Sequence, residues 1–181
     1  MKISFKNPLL PFVATVAFCL IPTFGTAGAF IKISEIAGES TGSDRRDWIT
    51  ALSISQSSTR TSIDNGHISP KPIFEDLKVS KELDKSSPLL QRSLLLNQSI
   101  PNVIIELTRP SADGTSEVYL RYELRNVKIT KYAIDTAGEA AGDSIPAEEF
   151  SLNFEEIRVT YTSVSGDTTE FGYNLEEDVS S

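Results

Sequence analysis

The chain has 181 residues, and its 25 acidic side chains outnumber its 17 basic ones, so its net charge is −8. This length predicts one main domain. The acidic balance argues against nucleic-acid binding, because phosphate contacts require lysine and arginine. One histidine and one cysteine leave little for a zinc site.

The first 29 residues have the pattern of a secretory signal peptide. Lys2 and Lys6 form a basic start, residues 9–21 are apolar, and Ala27-Gly28-Ala29 fits a cleavage site before Phe30. The sequence therefore predicts a cleaved leader, 1–29, and one domain, 30–181. The rival interpretations are a membrane-spanning helix, for which the apolar run is too short, and a cytoplasmic protein that really starts near Phe30.

Cleavage at this site would change the chemistry of the chain. It would remove the single cysteine, Cys19, so the mature chain could form no disulfide and would use no thiolate. It would also remove two lysines and no acid, which moves the net charge from −8 to −10. No stable membrane span is expected after cleavage.

Alternating apolar and polar residues predict half-buried antiparallel strands along most of the mature chain. The predicted inward-facing sets are Ile31 and Ile33; Trp48, Leu52 and Ile54; Val103, Ile105 and Leu107; and Leu120, Tyr122 and Leu124. This pattern indicates a mainly β protein whose strands each have one face on the core.

The alternation changes phase twice. After Leu124 the inward positions become Val127 and Ile129, and after Phe154 they become Ile157, Val159 and Tyr161. A β-bulge produces such a slip, so bulges are predicted at Arg125-Asn126 and Glu155-Glu156. A tight turn at Arg125-Asn126 is the alternative for the first slip. Bent strands of this kind favour a small antiparallel β-barrel of two curled sheets.

Polar, glycine-containing segments predict the connections. Loops are expected at residues 38–44, 57–70 and 136–145, and Asp113-Gly114 predicts a hairpin turn.

One helix interrupts the β pattern at about residues 88–97. Ser87 is a suitable N-cap, Pro88 suits the first turn, and Asn97 can end the helix. Its leucines do not share one narrow stripe, because Leu95 lies well away from the others at 100° per residue. Leu95 therefore predicts a second packing surface, which is either a covering loop of the same chain or another subunit.

The sequence offers few catalytic candidates. His67 is the single histidine and is interpreted as a surface residue of a loop. The pairs Glu148-Glu149 and Glu155-Glu156 contain neighbours that point to opposite faces of a strand, so they do not form a glycosidase dyad and are interpreted as solvated or interfacial charge. No catalytic, cofactor-binding or metal-binding residues are predicted, and the protein is not expected to be an enzyme.

Several segments form a set of motifs in a fixed order. They are the start Phe30-Ile-Lys-Ile-Ser-Glu-Ile-Ala-Gly-Glu-Ser40, the segment Asp84-Lys85-Ser86-Ser87-Pro88, and later strands around Tyr119-Leu120, Val127-Lys128-Ile129 and Glu149–Phe154. Together they resemble the haemolysin-coregulated protein (Hcp) family, the tube proteins of type VI secretion systems. The similarity covers about residues 30–175.

The resemblance implies a small β-barrel with one flanking helix and no cofactor. It implies homohexameric rings that stack into a hollow tube, carry effectors in the lumen and work with spike and sheath proteins. Closed rings use a heterologous interface, which would give Leu95 a role. Residues 57–70 or 38–44 are the candidate stacking loops.

The predicted leader adds an alternative to the secretion tube. Members of this family are normally assembled in the cytoplasm and leave without a cleaved signal peptide. The chain is therefore interpreted as a tube protein or an exported relative, and the alternative is an exported monomeric β-barrel binding module. Its location is secreted or periplasmic if the leader is used, and otherwise cytoplasmic before secretion.

Overall fold

The structure, a computed structural model, describes residues 27–60, 62–63, 67–68, 71–135 and 145–180. These residues form fourteen strands and one helix. The elements are β1 Gly28–Ile33, β2 Ile49–Ala51, β3 Ser53–Ser55, β4 Ser58–Thr59, β5 Ser62–Ile63, β6 His67–Ile68, β7 Ile73–Phe74, β8 Leu77–Glu82, α1 Ser87–Leu95, β9 Ile100–Pro110, β10 Ser116–Asp135, β11 Ala147–Asn153, β12 Glu156–Thr162, β13 Thr168–Asn174 and β14 Val179–Ser180.

The main sheet is antiparallel throughout and is organised around the long strand β10. Pairing runs in the order β2–β1–β9–β10–β11–β8–β3, and β12, β13 and β14 extend it from the first half of β10. Leu52 alone separates β2 from β3, and its N–H donates to the carbonyl of Ser80 in β8 at 2.8 Å. The path thus returns to the chain segment on which it began. The predicted mainly β fold with one helix is confirmed.

Rows of apolar side chains cross these strands and form the core. One row runs from Ile31 through Ile105, Tyr122 and Val159 to Phe171 in register. The row is fully buried at Ile31 and Ile105 but Phe171 is 50% exposed. The apolar face of the sheet therefore continues beyond the fully buried core onto β12 and β13, where it is partly exposed to solvent.

Both predicted phase slips are present, and they lie side by side. Leu124 and Val127 are buried on either side of an exposed pair, and so are Phe154 and Ile157 across their own slip. The pairing of β10 with β9 and with β12 stays in register there, so the bulge interpretation is wrong; the register shifts lie at residues 118–120 and 129–131. Instead, Asn126 has φ 50° and donates from Nδ2 to the carboxylate of Glu155 at 2.6 Å.

Of the residues predicted to face inward on the second strand, Ile54 packs against the core as predicted, but the prediction for Trp48 and Leu52 is wrong. Ile49 and Ala51 are the buried residues, whereas Leu52 is 59% exposed and Trp48 is only half-buried. Two features set the observed phase. Ile49 pairs with Ile31 of β1, and Trp48 lies against Lys32, whose ammonium is 5.9 Å from the ring centroid. Partner register, which is set by other strands, decides which face is buried.

The predicted leader lies outside the described residues up to position 26, and the boundary at residue 30 stays a prediction. The structure does place the start of β1 at Gly28, whose carbonyl accepts a hydrogen bond from the Thr108 hydroxyl at 3.3 Å. Cleavage before Phe30 would therefore shorten β1 by two residues. Within the part of the chain that is described, no helix has the length and apolarity needed to cross a membrane.

Gly38 provides a sharp test of this packing. A Cβ at this position would lie 2.4 Å from the carbonyl oxygen of Trp48 and 2.6 Å from the backbone of Ile49. Because backbone atoms cannot rotate away, we expect Gly38→Ala to reduce the free energy of unfolding by about 1–3 kcal/mol in chemical denaturation. Gly42→Ala is the matched control, since only Ser40 Oγ lies within 4.0 Å of its Cβ. Equal stability of the two variants would contradict the close approach at Gly38.

Candidate assembly surfaces

Helix α1 begins and ends at signals encoded in the sequence. Ser86 is its N-cap and makes no side-chain capping bond, so the predicted cap at Ser87 is one residue late. At the other end Asn97 adopts φ 48°, and Gln98 N–H donates to the Ser93 carbonyl at 2.9 Å. This is a Schellman motif, in which a left-handed residue lets the chain satisfy the last carbonyls of the helix. The predicted ending at Asn97 is confirmed.

A buried charged cluster fixes the start of α1 to the sheet. Lys81 of β8 is 0% exposed, and its Nζ lies 2.7 Å from both Asp84 Oδ1 and Glu148 Oε1. The hydroxyl of Ser87 donates to the same Glu148 oxygen at 3.0 Å, and Tyr132 OH donates to Glu148 Oε2 at 2.5 Å. We call Lys81, Asp84, Ser87, Tyr132 and Glu148 the anchor cluster. It joins β8, α1, β10 and β11.

Two groups of the anchor cluster have shifted pKa values. Burial alone would raise the pKa of Asp84, but hydrogen bonds from Lys81 and Ser86 outweigh it and hold the pKa below its usual range. Burial raises the pKa of Tyr132, and its hydrogen bond to Glu148 raises it further. The tyrosine therefore stays protonated and remains a donor, which the Glu148 carboxylate requires.

The lowered pKa of Asp84 predicts a loss of stability in acid. A carboxyl group whose folded pKa is below its unfolded value, about 3.9, stabilises the fold above that value and ceases to do so as pH falls through the folded pKa. We expect the free energy of unfolding to decrease as the pH is lowered from about 4, and to decrease less steeply in Asp84→Asn. Denaturant titrations between pH 3 and 7 would measure this, and parallel profiles for the two proteins would contradict it.

The leucines of α1 divide into buried and exposed members. Leu90 is 0% exposed and Leu89 and Leu94 pack against the core, whereas Leu95 is 75% and Leu96 61% exposed. No described element covers this pair, so a covering loop does not explain Leu95 within the part of the chain described. We call Leu95 and Leu96, at the C-terminal end of α1, the leucine knob.

The segment predicted as a loop at residues 57–70 contains short antiparallel strands among its described residues. β4 pairs with β7 through Ser58–Phe74 and Thr59–Ile73, and β5 pairs with β6 through Ser62–Ile68 and Ile63–His67. We call the described residues of this segment, 58–60, 62–63, 67–68 and 71–74, the arm. By contrast, the predicted loop at residues 38–44 is tied down at its start, where Gly38 N–H donates to the Asp47 carbonyl at 2.8 Å.

An apolar groove of about 560 Å³ lies between the base of the arm and the end of the sheet. Its floor is the uncovered end of the core face: Tyr122, Ile157, Val159, Tyr161, Phe171 and Tyr173. Phe74 of the arm stacks on Tyr173 at a centroid distance of 5.4 Å, which forms one wall. Tyr161 and Phe171 remain 45% and 50% exposed. We call this space the groove.

The opposite face of the same strands is polar and paired. Glu106 alternates with the predicted inward residues Ile105 and Leu107, yet it is only 7% exposed because Arg45 and Arg121 lie 2.9 Å and 3.0 Å from its two oxygens. Arg121 also reaches Glu123 at 2.9 Å. The charges on this face largely compensate one another.

The structure does not bring the sequence candidates for chemistry together. His67 lies in β6, and its side chain is outside the described set. No group of three or more His, Cys, Asp or Glu side chains that could hold a metal occurs among the described residues. Glu148 and Glu149 point to opposite faces as predicted, but Glu148 is 1% exposed, so the solvated interpretation of this residue is wrong.

Sequence reasoning missed the anchor cluster, although one signal was available. Leu77 and Val79 are buried, and Lys81 continues the same alternation two residues later. A lysine at an inward strand position requires a buried anion. Nothing in the sequence alone identifies Glu148 as that anion.

Several solved structures with this fold are Hcp or type VI secretion proteins. The chain is similar to Hcp1 from Salmonella typhimurium, with 21% identity and a TM-score of 0.70 over 86% of this chain and 99% of that one. It is also similar to a type six secretion system protein, with 20% identity and a TM-score of 0.74 over 86% and 100% of the two chains. A type VI secretion system effector from Yersinia pestis shares 24% identity, with a TM-score of 0.68 over 81% and 98%. These likenesses show the fold.

The family comparison extends beyond the fold. Comparison with curated proteins gave no match. The family model described as type VI secretion system effector, Hcp, matches residues 30–161, which is most of the chain. The chain therefore belongs to the Hcp family of type VI secretion proteins.

Proposed function

We propose that copies of this chain assemble into hexameric rings that stack into a tube serving a type VI secretion system. Hcp proteins are structural secretion proteins that form hexameric rings. The observation on this chain that supports assembly is the leucine knob, because Leu95 and Leu96 are 75% and 61% exposed on a helix that otherwise packs on the sheet. Two large apolar side chains exposed side by side form a patch that a second copy can cover.

The proposed role is structural, without a catalytic residue or cofactor. Its partners would be other copies of the chain, effectors carried in the lumen, and spike and sheath proteins. The arm is the better candidate for stacking than residues 38–44. In the arm, Ile73 is 54% exposed and Arg60 is also exposed. Residues 38–44 are instead held in place by backbone hydrogen bonds that join Gly38 and Ser40 to Asp47 and Trp48.

Charging the leucine knob should separate the subunits without unfolding them. We expect Leu95→Glu to convert the oligomer to monomer in light scattering, because a carboxylate would be buried without a partner at the interface. Its circular dichroism should match that of the parent chain, and the two unfolding midpoints should agree in dilute solution, where association adds nothing to the stability of the parent. The substitution itself changes the stability of the monomer by about 0.5 kcal/mol or less.

Val164→Glu is the matched control. Val164 is 85% exposed in the β12–β13 turn and does not line the groove. We expect this variant to keep the oligomeric state of the parent. Dissociation by both variants would indicate a general charge effect, and dissociation by neither would remove Leu95 from the interface.

The alternative is an exported monomeric binding module, which the groove favours. A cavity of about 560 Å³ with an aromatic floor has the size and lining of a small-molecule site. A parent chain that is monomeric at micromolar concentration would support this alternative and contradict the ring. Export itself rests on the predicted leader, and sequencing the N-terminus of the exported chain should return Phe30 if residues 1–29 are cleaved.

A further inference from the structure

The groove lacks an occupant among the described residues. Its floor continues the core face of the sheet, yet Tyr161 and Phe171 keep about half of their surface in solvent. The rings of Phe74, Tyr173 and Phe171 form a stacked series with centroid distances of 5.4 Å and 6.4 Å. Covering an ordered aromatic surface of this kind with an apolar group is favourable, because it removes apolar area from water.

The leucine knob has the complementary chemistry, because its two side chains are apolar and exposed. Its two side chains stand on the last turn of α1 and the C-cap, beside the ordered Schellman turn, so they are presented on a rigid support. No residue of α1 lines the groove, so the knob does not fill the groove of its own copy. A concave patch and a convex patch at different places on one chain are the two halves of a heterologous interface.

Charge also favours contact between these two patches. Each copy carries a net charge of −8, so two copies repel unless they meet where acidic charge is low or compensated. The groove lining contains only Arg60 and Glu170 as charged residues. The leucine knob is accompanied by exposed Arg92, the basic residue in the last turn of α1. Glu170 is already paired with Arg158 at 2.7 Å, so the groove presents little uncompensated acidic charge to a second copy.

We infer that the leucine knob of one copy seats in the groove of the next copy, with Leu95 and Leu96 against Tyr161 and Phe171. This inference rests on the proposed ring and names its contact. Repeated around a ring, each copy gives one knob and receives one, so no apolar patch of either kind is left exposed. A geometry that did not close would give filaments from the same contact.

Disulfide trapping tests the contact directly. In a Cys19→Ser background the introduced thiols are the only ones in the chain. A tagged Leu95→Cys chain is mixed with an untagged Phe171→Cys chain, and a mild oxidant is added. We expect a mixed disulfide dimer, resolved by its size on a non-reducing gel, as the main cross-linked product. Val164→Cys replaces Phe171→Cys in the control and should give little mixed dimer.

The outcomes separate this contact from the proposed ring. A mixed dimer with Phe171→Cys but not with Val164→Cys supports the contact. A ring in light scattering without a mixed dimer, for Phe171→Cys and also for Tyr161→Cys, overturns the contact and leaves the ring standing. A monomer overturns both. Circular dichroism of each variant confirms that the thiol positions are tested in folded protein.

Discussion

Lys81→Met should reduce the free energy of unfolding by about 3–5 kcal/mol, because it leaves buried carboxylates without their cation. Lys81 and Glu148 are both fully buried in their side chains, and their charged atoms are 2.7 Å apart. Asp84, at the same distance from Lys81 Nζ, would lose its counter-charge at the same time. Denaturant unfolding of the monomer is the measurement, and we expect the start of α1 to lose its amide-exchange protection first.

The neighbouring exposed ion pair is the matched control. Lys131 and Glu149 lie 2.6 Å apart, with side chains 58% and 41% exposed. Lys131→Met should therefore change stability by only about 0–1 kcal/mol, because an exposed pair is screened by water. Equal effects of Lys81→Met and Lys131→Met would show that the anchor cluster is hydrated in solution.

A double variant distinguishes loss of the pair from loss of packing. Replacing both partners, as in Lys81→Met with Glu148→Leu, removes the two charges together and should recover part of the stability. Recovery would be partial because Asp84 would still lack its counter-charge and the Tyr132 hydroxyl would lack its carboxylate acceptor. No recovery would mean that Glu148 acts chiefly through Ser87 and Tyr132, whose hydroxyls donate to it.

The sequence predicted those features that depend on local periodicity. Ile31 and Ile33 are buried as alternation requires, and the helix falls within two residues of its predicted ends. Such features follow from chemistry within a few residues: Pro88 favours the first turn, and Asn97 tolerates the left-handed conformation that ends it.

Features that depend on partners distant in the chain were not predictable in the same way. Alternation at Trp48 and Leu52 gave the wrong face, because the register with Ile31 is set from a different strand. The alternation around Glu106 indicated an exposed residue, but Arg45 and Arg121 from other segments of the chain pair with it and cover it. Whether a charged residue can be buried depends on its ion-pair partner, whereas the sequence pattern describes each residue without that partner.

The two phase slips show the boundary between these cases. The sequence located both, at Asn126 and Glu155, because each slip leaves its own apolar pattern. It did not show that the two residues face each other, nor that one bend crosses adjacent strands in unbroken register. A local bulge was therefore inferred where the structure has a bend common to two adjacent strands. The Asn126–Glu155 hydrogen bond at 2.6 Å joins the two strands at this bend.

Leu90→Ala should reduce the free energy of unfolding by about 2–5 kcal/mol, whereas Leu95→Ala should cost the monomer about 0.5 kcal/mol or less. The two leucines share one helix, but Leu90 is 0% exposed and Leu95 is 75% exposed. Removing Leu90 opens a cavity between α1 and the sheet, and that loss belongs to the single chain. It should therefore be the same at every protein concentration.

Leu95 differs because any burial it gains comes from a second copy. A residue buried only on association stabilises the fold by mass action, so its contribution grows with protein concentration. We expect the unfolding midpoints of the parent and Leu95→Ala to coincide in dilute solution and to diverge as concentration rises. Comparing thermal unfolding of the three proteins across a hundredfold range of concentration would measure this. A concentration-independent loss in Leu95→Ala would place Leu95 in the core of its own chain, and the exposed end of α1 would then have no role in assembly.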